Sequence, residues 1–161
     1  MNTKEKNMKQ INTFLVICTT LFVTPATGET LPPLGGEGLK RWLQAGDYRS
    51  WKSESVIHDS EGPHFGRVRA FLNPTLFDSM TKENDEHPVG SVAVKELYES
   101  GDTVKGWAVA IKTTLQAGGG SNWYWYESYK NETIKDGQGE FLCKACHFTG
   151  NDYVLTPFPM Q

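Results

Sequence analysis

An α+β fold, mainly antiparallel β-sheet with a few short helices, is the class this sequence predicts. Three observations carry that prediction. Four short runs rich in β-branched and aromatic residues, 64–72, 91–98, 106–112 and 122–129, are each bounded by turn-forming residues. Glycine (16 residues) and aromatics (12%) are plentiful, a balance that favours strands and turns. The helical patterns are all short, so the chain cannot supply the four long amphipathic helices of a bundle. With 161 residues, 38% hydrophobic and 22% charged, the chain supports one domain with a real core and is not compositionally disordered.

The N-terminal segment is read first, because it is excluded from fold reasoning. Lys4, Lys6 and Lys9 precede a largely apolar run from Ile11 to Val23, and Pro25, Ala26, Thr27 and Gly28 supply small residues for cleavage. Residues 1–28 therefore read as a signal peptide cut after Gly28, with an uncleaved N-terminal membrane anchor as the alternative. Cys18 lies inside the apolar run, without the small residues of a lipoprotein site, and has no assigned role. Cleavage removes three lysines and one glutamate. It leaves residues 29–161 as a single domain with 13 basic and 18 acidic residues, a net charge of −5. Such a chain is expected in the periplasm or outside the cell, with no membrane span of its own and no general attraction to nucleic acid.

Along the mature chain, Glu37 to Ala45 reads as a helix with Leu39, Trp42 and Leu43 on one face and Gly46 as its stop. After a polar stretch from Ser53 to Gly62, the run His64–Leu72 reads as a strand. Asn73-Pro74 ends it and starts a brief helix carrying Leu76, Phe77 and Met80. Thr81 to Glu86 is a loop, Ser91–Tyr98 a second strand, and Ser100-Gly101-Asp102 a turn. Gly106–Lys112 and Asn122–Tyr129 are the third and fourth strands. Gly118-Gly119-Gly120 is a flexible connection without the pattern of a phosphate loop, and Asp136-Gly137 reads as a turn before a C-terminal helix.

Two cysteines remain after cleavage, in Cys143-Lys144-Ala145-Cys146-His147. In an oxidising compartment the default for such a pair is a disulfide. A redox Cys-x-x-Cys would sit at a helix start in a β-α-β context, which is missing here. Zinc needs two more ligands, and His58, His64 and His87 are too scattered to supply them. Covalent attachment of one haem uses all three residues at once: the thiols of Cys143 and Cys146 add to the two vinyl groups, and His147 becomes the proximal iron ligand. The short C-terminal helix is thereby expected to be haem-binding. Only 14 residues follow His147, and the mature methionines are Met80 and Met160, neither at a persuasive axial spacing. A five-coordinate iron, open to a small molecule, is the expectation. Ligation by Met160 or Met80, for simple electron transfer, is the alternative.

A sheet protein with this C-terminal motif resembles the cytochrome P-460 and cytochrome c′-beta family. The resemblance rests on Arg67–Pro74, Gly90–Tyr98, Gly106-Trp107, Asn122-Trp123 and Cys143–His147, and spans about Trp42 to the end. It implies a homodimer with one haem per subunit. P-460 members carry a lysine cross-linked to the porphyrin and oxidise hydroxylamine, whereas c′-beta members bind nitric oxide and carbon monoxide in an apolar pocket. Lys95 matches the cross-linking lysine; the plain alternative is a solvated strand lysine paired with Glu96 or a neighbour.

Two departures favour gas binding. The strand that would offer a distal carboxylate reads Gly106-Trp107-Ala108-Val109-Ala110, and Val68 stands where a distal arginine is expected, with Arg67 and Arg69 facing away. Val68 and Ala108 are the expected apolar pocket walls, and Phe65 and Phe71 are candidates for distal packing, with simple sheet core as their alternative. His87 either caps the distal side or is a surface loop histidine. Trp123, Tyr124, Trp125 and Tyr126 alternate faces, two inward and two toward a rim or dimer contact. The expectation is an exported haem c protein that binds nitric oxide. The enzymatic alternative is hydroxylamine oxidation with Lys95 modifying the porphyrin, and a redox partner cytochrome is possible in either case.

Overall fold

The computed structural model describes residues 30–64, 66–116 and 118–161; the expected signal peptide and Phe65 lie outside the described residues. Residues Leu31–Gln161 form one unit built on a seven-stranded antiparallel sheet with three short helices. Among the described residues there is no four-helix bundle, and a helix does stand near the C-terminus. In order along the chain these are α1 (Gly36–Ala45), a 3₁₀ turn (Asp47–Ser50), β1 (Lys52–Ser53), β2 (His58–Asp59) and β3 (Arg67–Leu72). They are followed by α2 (Pro74–Thr81), β4 (Val92–Tyr98), β5 (Val104–Lys112), β6 (Trp123–Tyr129), β7 (Glu132–Gln138) and α3 (Phe141–His147). The strands run β1-β3-β4-β5-β6-β7, with β2 also on β3, so β3 to β7 form a simple meander. No helix among the described residues is long and apolar enough to cross a membrane.

Local chemistry accounts for most boundaries. α1 stops at Gly46, whose φ of 78° is left-handed and whose N–H reaches the carbonyls of Leu43 and Trp42. α2 starts where Asn73 Oδ1 accepts the Leu76 N–H at 3.0 Å, with Pro74 in the first turn. The same oxygen accepts the Val92 N–H at 2.9 Å, so one buried asparagine joins α2 to β4. β3 is shorter than the expected run from His64, because the chain bends through Gly66 at φ 65° before pairing begins.

The C-terminal hairpin is the main departure. Asp136 and Gly137 are not a turn but part of β7. The turn is Lys130-Asn131, both at positive φ, which closes a two-residue hairpin with Tyr129 opposite Glu132. Asp136 then accepts the Gly36 N–H at 2.7 Å and the Tyr124 hydroxyl, giving α1 the N-terminal cap its own sequence lacks.

Both faces of the sheet are covered. On one, Phe71, Val94, Val109 and Tyr126 pack beneath Leu39, Leu43 and Tyr48. On the other, Leu72, Ala110, Trp123 and Trp125 pack with Leu76 and Val154. Tyr124 and Tyr126 are therefore core residues under α1, not rim residues.

The α1 face also buries Glu96. Its carboxylate accepts the Tyr48 hydroxyl at 2.6 Å, the Arg49 Nε at 2.9 Å and the Tyr98 hydroxyl. Burial first, and then the adjoining carboxylate, pushes the phenols of Tyr48 and Tyr98 well above their ordinary 10.0; Tyr124 beside Asp136 is raised the same way. A phenol that holds its proton more tightly when folded adds stability that is complete below the unfolded pKa and is lost as pH rises past it. The urea midpoint is therefore expected to stay level to about pH 9 and to fall steeply above about pH 10, with a shallower fall in Tyr98→Phe. An unchanged slope in that variant would rule out this source.

Candidate functional site

α3 carries Cys143, Cys146 and His147 at i, i+3 and i+4, which places all three on one side of a single turn. Both cysteines are free, so the disulfide expectation does not describe this structure. Burial, and secondarily the charges of Glu127 and Glu140, pushes the Cys143 thiol up to about 11. That is the reverse of what a redox or nucleophilic cysteine needs. Among the described residues, no group of three or more histidine, cysteine, aspartate or glutamate side chains is arranged to hold a metal ion. α3 buries none of its seven residues, and Phe141, Leu142 and Phe148 are exposed. An apolar helix in that state calls for an apolar group to cover it.

His147 points inward. Its Nδ1–H donates to the Tyr153 carbonyl at 2.9 Å, which leaves Nε2 as a bare lone pair. Burial is the main cause that drops its pKa to about 4, so the ring is neutral at pH 7 and able to ligate. Trp125 packs on it with centroids 4.8 Å apart. The Tyr153 carbonyl is itself held. Asp152 and Tyr153 both adopt positive φ (42° and 68°), and the Asp152 carboxylate takes the Lys112 ammonium at 2.5 Å. The same carboxylate accepts the Trp123 indole N–H at 3.3 Å and the His87 backbone N–H at 2.9 Å.

Between α3 and the sheet lies a cavity of about 340 Å³, within the usual range for small-molecule sites. Its floor is Ala70, Ala93, Ala108 and Ala110, where short side chains leave room for a flat apolar group; Trp125, Val154 and Leu155 form walls. Cys143, Cys146 and His147 line it from above. These residues fit a covalently tethered haem: two thiols, one oriented imidazole and an apolar bed.

The polar groups in the cavity differ from those expected. Strand register sets Ala70, Lys95, Ala108, Glu127 and Lys135 in one row across β3 to β7. Lys95 and Glu127 both line the cavity, and burial lowers the Lys95 pKa against the pull of Glu54, Glu127 and Glu61. Lys95 is not paired with Glu96, which faces the opposite side of the sheet. β5 offers no carboxylate, as the sequence indicates, but β6 does, so the cavity is not without an acid–base group.

Other expected residues lie elsewhere. Phe71 belongs to the core under α1, its ring 5.1 Å from Tyr48, so it cannot wall the cavity. Val68 is on the cavity side of β3 but is buried one row away opposite Leu97, outside the lining. His87 is neither a surface residue nor a cavity residue: it is fully buried, with Nδ1 2.9 Å from Ser79 Oγ and its ring against Trp123. Met80 and Met160 pack on the Trp123–Leu76 cluster and do not line the cavity. Ala108 does line it.

His64 and Glu127 were not singled out by sequence, although both line the cavity with His147. The available signal was alternation: Glu127 shares a strand face with Trp123 and Trp125, an odd place for a carboxylate unless that face meets a polar group. No family model and no curated protein matches this chain.

Proposed function

We propose that the chain carries one haem c, bound through Cys143 and Cys146 with His147 Nε2 as proximal ligand, and presents its iron to a small nitrogen-oxide ligand such as nitric oxide. The observation behind this reading is the tie from His147 Nδ1 to the Tyr153 carbonyl, which leaves Nε2 bare inside an alanine-floored cavity shared with both thiols. Haem supplies an iron that binds diatomic gases and exchanges electrons. The protein's part is to orient the imidazole, exclude water with Trp125 and Val154, and provide a largely apolar bed for the group. The leader-like N-terminus fits export to the periplasm, and the resemblance to cytochrome c′-beta adds a homodimer.

Co-expression with a haem-attachment system should give a coloured protein heavier than the bare chain by one haem, whose reduced spectrum shifts on adding carbon monoxide or nitric oxide. A colourless product of bare-chain mass overturns the reading.

One observation favours hydroxylamine oxidation as a second reading: Lys95 and Glu127 share a row on the cavity floor. Glu127 would take a proton from a bound N–H or O–H, and the half-buried Lys95 amine lines the same cavity as the two thiols. A strongly red-shifted Soret band that reverts in Lys95→Ala selects this reading; identical spectra select gas binding.

A further inference from the structure

The loop before β3 brings a second imidazole into the same cavity. Ser60 N–H donates to the Gly66 carbonyl at 3.0 Å, and Gly66 adopts φ 65° where a Cβ would lie 2.1 Å from the Tyr98 carbonyl oxygen. Only glycine fits there, so the loop is pinned to the end of β4 and His64 is turned toward the cavity. Its side chain is 16% exposed, and Nδ1 lies 3.3 Å from Glu127 Oε1. Among the described residues, nothing hydrogen-bonds to its Nε2.

His64 thus repeats the arrangement of His147: one ring nitrogen engaged with an oxygen acceptor and the other left bare. The two ring centroids are 6.1 Å apart, with planes at 71°. Imidazoles that ligate one iron from opposite sides, at about 2.0 Å per bond, hold their centroids about 6 Å apart. Edge-to-face rings commonly stand this far apart; what sets this pair apart is that both line the cavity of the two thiols, each with one nitrogen engaged.

We propose that His64 is a reversible sixth ligand, its Nε2 closing the iron face opposite His147 until a small ligand displaces it. The inference rests on the haem reading above and adds a gate to it. Glu127 is the positioning residue that holds the His64 ring. If the closed form outweighs the open one by about ten to one, ligand entry slows by about the same factor.

The test uses haem-loaded protein. The wild-type ferric protein is expected to be low-spin, with a near-infrared charge-transfer band at the energy of bis-imidazole ligation. His64→Leu is expected to become high-spin and to bind carbon monoxide about tenfold faster once reduced. A high-spin wild type, or a band at the energy of methionine or lysine ligation, overturns the proposal, as does a His64→Leu protein with unchanged spin state and rate. Since the near-infrared band is read on the wild type, the result does not depend on the variant folding. Failure to take up haem at all counts against the underlying reading, not against His64.

Discussion

Cys143→Ala combined with Cys146→Ala is expected to yield a chain from which acidified acetone extracts every haem, while either single replacement leaves one thioether and a coloured band on a denaturing gel. The expectation follows from α3. A three-residue step along one helical turn puts both sulfurs over the same cavity edge, and Cys146 is exposed while Cys143 is half-buried, so both are open to modification. In the double variant any haem is held only by the folded chain and leaves when that chain unfolds, whereas thioether bonds keep it on the unfolded wild type. Heat-induced loss of the haem absorption should therefore occur at lower temperature in the double variant. A double variant that keeps its haem through acid extraction would remove the thioether link from the account.

The second large effect is expected at Lys112, far from the thiols. Its side chain is fully buried and its ammonium sits 2.5 Å from Asp152, itself 8% exposed, and 3.0 Å from the exposed Glu86. Lys112→Ala strands the Asp152 carboxylate, a loss typically worth about 3–5 kcal/mol. For a unit of this size that is a fall of roughly 10–20 °C in melting temperature. Asp152 immediately precedes Tyr153, so releasing it also frees the carbonyl that orients His147. In the reduced haem-loaded protein the iron–histidine stretching frequency, read just after photolysis of bound carbon monoxide, should move. Lys112→Met with Asp152→Asn removes both charges, keeps an oxygen for the His87 N–H and suits the positive φ, and should recover part of the stability, because a buried pair is costly chiefly when half of it is deleted. A single variant within about 1 kcal/mol of wild type would show that the pair is not structural.

The parts of the fold that are legible in the sequence are those set by local chemistry. The Leu39–Leu43 face with Gly46, the Asn73-Pro74 start and the four apolar strands each carry a signal within a few residues. β7 carries none: Glu132-Thr133-Ile134-Lys135-Asp136-Gly137-Gln138 is polar, and it becomes a strand because the Lys130-Asn131 turn folds it back onto β6. The site divides the same way. Cys143, Cys146 and His147 are adjacent in sequence and are read at once. Phe71 and Val68 depend on which face of β3 meets which layer, and Glu127 and His64 on a register running through four strands and on a loop bent at Gly66. Those relations are long-range, and no spacing along the chain encodes them.

α3 lends no fully buried residue to either apolar layer and only Cys143 at the margin of one, while α1 closes one side of the sheet and α2 with the final segment covers part of the other. On the proposed reading the layers can pack without a prosthetic group, while α3 stands over the cavity with Cys146 exposed at its edge. Were haem attached there, His147 would meet it already tied to the Tyr153 carbonyl and packed on Trp125, so the ligand would be oriented before the pigment arrived.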